Sequence, residues 1–168
     1  MSYPEGQVRD RARRVRLLCV DVDGVLTDAG MYYGPDGEVL KKFNTRDGMG
    51  LARAREAGIA VAIISGEDSA IVHARAAKLQ IDDVFCGAAD KLEAVSELCV
   101  RHGLELSEVA FVGDDLNDLS ALKCVGLACA VADAAEPVVA AAHYVTRRKG
   151  GDGAVREVCE LLIAANSA

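Results

Sequence analysis

The chain has 168 residues, 51% apolar and 27% charged, with a formal net charge of −7. That is apolar material for a core of one domain's size, which excludes a disordered chain, a collagen and a disulfide-stapled miniprotein. The acidic balance argues against nucleic acid as a partner, because phosphate backbones demand a surplus of Lys and Arg.

The first sixteen residues carry five arginines without the apolar stretch of a signal peptide, and they read as a solvated lead-in to the first strand. No apolar run approaches the ~20 residues of a membrane span, so a cytoplasmic protein with no membrane partner is expected. Residues 15–22 read as a buried strand. Residues 30–43 hold Pro35-Asp36-Gly37 between two strand-like arms and predict a projecting β-hairpin. A helix over 48–57, a strand over 59–64 and a helix over 69–79 follow. After a further short strand, Asp90 with Glu93 three residues on opens a helix over 91–102. Strands over 109–112, 127–131 and 144–146 alternate with a helix over 116–124. The last helix, 154–165, places Val155, Val158, Cys159, Leu162 and Ile163 on one stripe. Strand–helix alternation of this kind predicts an α/β fold: a Rossmann-like, doubly wound parallel sheet. One domain over 1–168 is expected, with the hairpin at about 30–43, a tail at about 147–168 and no cap domain. The six cysteines lack CxxC spacing and read as reduced thiols. No Cys/His pair has zinc-ligand spacing, and His73, His102 and His143 stand isolated, so no zinc site is expected.

Ligands of doubly wound sheets bind beyond the carboxyl ends of the strands. Here those ends read Asp21-Val22-Asp23-Gly24-Val25-Leu26-Thr27-Asp28, then Ser65-Gly66, then Lys91, then Gly113-Asp114-Asp115-Leu116-Asn117-Asp118. Carboxylates crowded at one edge repel unless a cation holds them, and oxygen-only ligands select a hard ion such as Mg²⁺. The set suits phosphoryl transfer. Asp21 can attack phosphorus, and Asp23 can protonate the leaving alkoxide and then deprotonate water. Ser65 and Lys91 can hold phosphoryl oxygens. Asp114 can complete the metal shell, with Asp115 and Asp118 behind it or as outer ligands.

These four segments, in this order, resemble the motifs of the haloacid dehalogenase superfamily of phosphatases. The resemblance runs from about Leu17 to Leu162. It implies Asp21 as nucleophile, Asp23 as acid/base, and Asp21, Asp114 and the Asp23 main-chain carbonyl as Mg²⁺ ligands. The stretch Asn44-Thr45-Arg46-Asp47-Gly48 and the Gly-rich tail 148–157 are similar to the capless branch acting on 2-keto-3-deoxy sugar acid phosphates. That resemblance implies a homotetramer whose hairpins meet and whose neighbouring subunit closes the site.

Within the branch, octulosonate 8-phosphate phosphatases usually have Arg after the Ser-Gly pair, where this chain has Glu67. Glu67 with Arg75 and Lys78 is more similar to the nonulosonate 9-phosphate phosphatases. Arg75 and Lys78 are three apart on one helical face, so both can reach one anion. The expected substrate site is therefore Asn44, Thr45, Arg46, Asp47, Gly48, Gly66, Glu67, Arg75 and Lys78. The expected substrate is a nine-carbon sugar acid phosphate, with 3-deoxy-D-manno-octulosonate (KDO) 8-phosphate as the alternative. Asp47 has a second reading as the cap of its own helix. A signalling receiver domain shares the residue types, but its acidic pair comes first and its phosphoacceptor later. A non-catalytic oligomerisation module is the remaining alternative, against which all the catalytic residue types stand intact.

Overall fold

The computed structural model describes residues 4–167. At its centre lies β1 (Leu17–Val20), four residues with every side chain buried. Parallel strands flank it on both sides: β4 (Ala60–Ile64) sets Ile63 beside Val20, and β6 (Val109–Gly113) sets Val112 there. β5 (Asp83–Phe85) extends the sheet beyond β4, while β7 (Leu127–Ala130) and β8 (Tyr144–Val145) extend it beyond β6. The chain runs outward from β1 through β4 to β5, then returns to β6. The winding reverses at the β1–β6 pair, where such sheets open a crevice at their carboxyl edge.

Strand side chains alternate between the two faces. Leu18 and Val20, with Ala110 and Val112, face a core closed by α1 (Glu5–Ala12), α2 (Thr45–Glu56), α3 (Ala70–Lys78) and α7 (Ala154–Asn166). Leu17 and Cys19, with Val109 and Phe111, face a second core beneath α4 (Lys91–His102), α5 (Leu119–Leu122) and α6 (Glu136–Ala141). The antiparallel pair β2 (Tyr32–Gly34) and β3 (Gly37–Leu40) forms the expected hairpin. Met31, Tyr32, Tyr33, Val39 and Leu40 stand exposed on it.

The N-terminal lead-in is a helix, not solvated coil. Val8 and Ala12, one helical turn apart, are buried in the core; Arg9, Arg13 and Arg14 stay exposed, while Arg11 is half-buried and donates to Gly126 O at 2.7 Å. The short α6 is an addition to the elements expected, and the short strand expected before Asp90 is β5, at the edge of the sheet. α2 begins three residues early because the Asn44 side chain accepts the Arg46 N–H at 2.8 Å and caps it. The helix expected over 116–124 splits into a tight turn, Leu116–Asp118, and α5. On α7, Ile163 is only half-buried, and Ala154 and Ala165 complete the stripe. Among the described residues no helix is long and apolar enough to cross a membrane. All six cysteines are free thiols; Cys19, Cys99, Cys129 and Cys159 are buried, Cys86 half-buried and Cys124 exposed.

Candidate active site

Because β1, β4 and β6 are parallel and in register, the residues that follow them meet at one edge. Asp21 leaves β1 still bonded to the sheet, its N–H donating to Val112 O at 3.1 Å. Beyond it the chain coils tightly, with the N–H groups of Leu26 and Thr27 both donating to Val22 O at 2.9 and 3.0 Å. Thr27 Oγ1 accepts from the Gly24 and Ala29 N–H groups, each at 3.3 Å. Gly24 has φ +89°, and a Cβ there would lie 1.9 Å from Asp114 Oδ2. A glycine is required at this position for both reasons.

The centre of the site is a buried charge cluster. Lys91 opens α4, and its ammonium reaches Asp21 Oδ1 at 2.6 Å and Asp118 Oδ1 at 2.5 Å. All three residues are at most 4% exposed. Burial opposes the ammonium charge, but the two carboxylates together raise the Lys91 pKa, so it stays protonated. The other oxygen of Asp118 accepts the N–H groups of Asp114 at 2.8 Å and Asp115 at 3.2 Å. Asp118 therefore ties the lysine to the loop that carries Asp114. Asp115 is exposed, and its carboxylate accepts the Leu116 N–H at 2.7 Å as the cap of the Leu116–Asp118 turn.

Negative charge remains in excess. Oxygens of Asp21, Asp114 and Asp118 lie within 4.8 Å of one another, with one ammonium to offset them. Burial, then the neighbouring carboxylates Asp21 and Asp118, push Asp114 up to about 8, and it shares a hydrogen bond with Asp21. Burial also raises Asp21, with Lys91 opposing the shift. An all-oxygen donor set that bridges itself with a proton fits a hard divalent cation in the proton's place.

Ser65 follows β4 and is buried; its Oγ accepts the Glu67 N–H at 3.1 Å, and its N–H and C=O bind Phe85 O and Ala88 N–H. Gly66 and Glu67 line the cleft above Asp21 and Asp23, opposite Asp114 and Asn117, with Met31 from the base of the hairpin beside them.

One feature of the site has no signature in the sequence. Asp23 Oδ1 pairs at 2.6 Å with Lys41 Nζ, at the end of the hairpin. Lys41 also meets Glu38 Oε1 at 2.6 Å, and Glu38 Oε2 accepts the Ser69 hydroxyl at 2.7 Å. The lysine side chain is 2% exposed. This chain of contacts joins Asp23 through the hairpin to Ser69, the N-cap residue of α3. A lysine on an exposed strand gives no sequence signal for it, because the contact exists only when the hairpin folds back.

The remaining expected substrate residues are placed elsewhere in this chain. Asn44 donates to Gly151 O at 3.1 Å, and Thr45 and Arg46 are exposed in the first turn of α2. Asp47 does not cap its own helix: it is 1% exposed and accepts the N–H groups of Gly153 at 3.2 Å and Arg156 at 2.8 Å, capping α7 instead. The Arg75 guanidinium lies 5.4 Å from the Phe43 ring centroid, donates to Asn44 O at 3.3 Å and covers Gly48, where a Cβ would lie 2.5 Å from Nη2. Lys78 is exposed at the end of α3. Arg75 and Lys78 thus do not converge on the cleft that Glu67 lines.

The Gly-rich tail packs against its own chain. Gly151 N–H donates to Val25 O at 2.9 Å, and a Cβ on Gly150 would sit 1.7 Å from Gly24 O. The tail braces the loop after β1, and α2 braces the tail through Asn44 and Asp47.

Residues 83–158 match the haloacid dehalogenase-like hydrolase family model. The chain is 48% identical over 155 residues to the 3-deoxy-D-manno-octulosonate 8-phosphate phosphatase KdsC of Escherichia coli K12, covering 92% of this chain and 82% of that one. A crystal structure of the Moraxella catarrhalis 3-deoxy-D-manno-octulosonate 8-phosphate phosphatase, with magnesium, phosphate and KDO bound, superposes with TM-score 0.94 at 40% identity, covering 98% of this chain and 94% of that one. A probable YrbI family phosphatase from Pseudomonas syringae pv. phaseolicola matches with TM-score 0.94 at 44% identity over 96% and 92% of the two chains.

Proposed function

The chain belongs to the haloacid dehalogenase-like hydrolases and is a phosphoric monoester hydrolase, and from that premise we propose that it hydrolyses KDO 8-phosphate through an aspartyl-phosphate intermediate. The observation that carries the substrate is the whole-length likeness to a phosphatase holding magnesium, phosphate and KDO. Relatives of 47–48% identity carry the same octulosonate name. They favour the eight-carbon substrate over the nine-carbon one that Glu67, Arg75 and Lys78 suggested, and Arg75 and Lys78 lie off the cleft.

In the proposed reaction Asp21 attacks phosphorus in line with the ester oxygen, displacing the sugar alkoxide. Lys91 holds Asp21 ionised and oriented, which burial alone would prevent. Asp23, placed by Lys41, gives its proton to the departing alkoxide. It then takes one from the water that attacks the aspartyl phosphate and releases inorganic phosphate. Ser65 and Lys91 bind phosphoryl oxygens. Asp21, Asp114 and the Asp23 carbonyl would hold Mg²⁺, which when bound supplies positive charge against the transferring phosphoryl group. Asp115 and Asp118 support that shell from behind. Gly66 and Glu67 face the sugar.

The site is open, and the hairpin beside it exposes Met31, Tyr32, Tyr33, Val39 and Leu40. These support a homotetramer built on the hairpins, in which a neighbouring subunit supplies the missing wall and brings Thr45, Arg46 or Lys78 of one chain toward the substrate of another. Free thiols throughout support a reducing, cytoplasmic setting.

The test is Mg²⁺-dependent phosphate release from KDO 8-phosphate and from a nonulosonate 9-phosphate, with Asp21→Asn as the blank. The expected result is a preference of about 100-fold in kcat/KM for the eight-carbon ester, about 2.7 kcal/mol of transition-state binding. A preference for the nine-carbon ester would overturn the substrate assignment, and turnover by Asp21→Asn would overturn the mechanism.

A further inference from the structure

Away from the carboxylate cluster, three side chains of different chemistry converge. Asp68 lies in the turn after Ser65-Gly66-Glu67, His73 in the first turn of α3, and Cys86 just past β5. One ligand atom of each, a carboxylate oxygen, an imidazole nitrogen and the thiol sulfur, lies within 4.8 Å of the others. We propose that Asp68, His73 and Cys86 form a second metal site, for a borderline-soft divalent ion of the Zn²⁺ type. The reading is independent of the hydrolase reaction.

The donor set decides the ion. Thiolate with imidazole and one carboxylate is a soft-to-borderline set, unlike the all-oxygen cluster at Asp21, and selects Zn²⁺ or Co²⁺ over Mg²⁺. Bonds of about 2.0–2.3 Å to a tetrahedral ion put ligand atoms roughly 3.3–3.7 Å apart. The three atoms therefore need close by only about 1 Å, and Asp68 and His73 are exposed side chains free of core packing. Three protein ligands leave a fourth position to water. The thiol is half-buried beside Asp68, and burial raises its pKa. Binding must expel that proton, so affinity rises with pH. Close zinc-ligand spacing is absent from the sequence because these ligands come from three segments that meet through the β4–β5 pairing.

The position gives the site a consequence. Glu67 precedes Asp68, and Ala88 and Ala89 follow Cys86; all three line the catalytic cleft. An ion here staples the turn after β4 to the turn after β5, which the sheet edge joins by the Ser65–Phe85 and Ala88–Ser65 backbone bonds.

The test uses the full chain with the oxygen-only site saturated by Mg²⁺. Zn²⁺ titration by calorimetry should give one ion per chain, and Co²⁺ should give a near-ultraviolet thiolate-to-metal charge-transfer band. Both should vanish in Cys86→Ser and survive in Cys124→Ser, which removes the exposed thiol. Asp68→Asn and His73→Ala, at exposed positions, should each weaken Zn²⁺ binding about tenfold or more, and they decide the matter if Cys86→Ser does not fold. A wild-type chain without the band, a band that persists without Cys86 or is lost without Cys124, or full affinity in both Asp68→Asn and His73→Ala would overturn the proposal.

Discussion

The charge cluster at the sheet edge and the hairpin beside it are built on opposite terms. Asp21, Lys91 and Asp118 are buried, bonded to one another and locked to backbone of the same chain. The hairpin turns tyrosines, a leucine, a valine and a methionine outward and contributes one buried cation, Lys41. Reaction chemistry needs fixed geometry and low dielectric, which the sheet supplies within one chain. The hairpin instead leaves its apolar side chains exposed beside the cleft. If the proposed tetramer covers that surface, the chemistry stays within one chain while the covering surface shapes the substrate site.

The largest effect that can break this contrast is at Lys91. Lys91→Met leaves Asp21 and Asp118 facing each other without a cation. Denaturant unfolding should show a loss of about 3–5 kcal/mol, and a loss under 1 kcal/mol would mean the cluster is not the structural keystone described. Next comes the cation. Asp114, raised to about 8, carries a proton in the metal-free native state that the unfolded chain has already released. Its contribution to stability is therefore lost as pH rises from the usual carboxylate range through 8. Mg²⁺ bound at the proposed site would replace that proton. Its stabilisation, about 2.7 kcal/mol at a hundredfold excess over Kd, should be larger near pH 8 than near pH 6 when the Tm gain is compared; an equal gain would contradict the proton-bridged pair. Smaller is the effect at the junction of the two regions: Lys41→Met should lower kcat about tenfold with KM nearly unchanged, because Asp23 loses its positioning partner. A change in KM alone would make Lys41 a substrate contact. Smallest in stability is Leu40→Glu on the exposed arm, expected within about 0.5 kcal/mol of the parent, yet it should convert the assembly to smaller species by light scattering. An unchanged mass would remove the hairpin from the interface.

Much of the site was legible in the sequence for a geometric reason. Loops after parallel strands all open on one edge, so Asp21, Ser65, Lys91 and Asp114 could be assembled from strand order alone. The hairpin was legible from Pro35-Asp36-Gly37. The rest depends on contacts between distant segments. Asp47 reads as a cap for its own helix, but its partner is the start of α7, 106 residues on at Gly153. Arg75 reads as an anion ligand, but Phe43 and Asn44 hold it. The Gly-rich tail reads as a likeness to the capless branch, and its bracing of the loop that carries Asp23 and Gly24 has no local signal in the sequence. Val8 and Ala12 were hidden among arginines, since two apolar residues in eight leave little periodic signal.

The central claim is that Asp21, held by Lys91, is the nucleophile. The most direct measurement is a rapid acid quench during turnover of KDO 8-phosphate, followed by borohydride reduction and peptide mass spectrometry. An aspartyl phosphate is reduced to homoserine, so the account predicts homoserine at position 21 and none in Asp21→Asn. Turnover with no reducible acyl phosphate, or reduction at Asp23 or Asp114 instead, would contradict it.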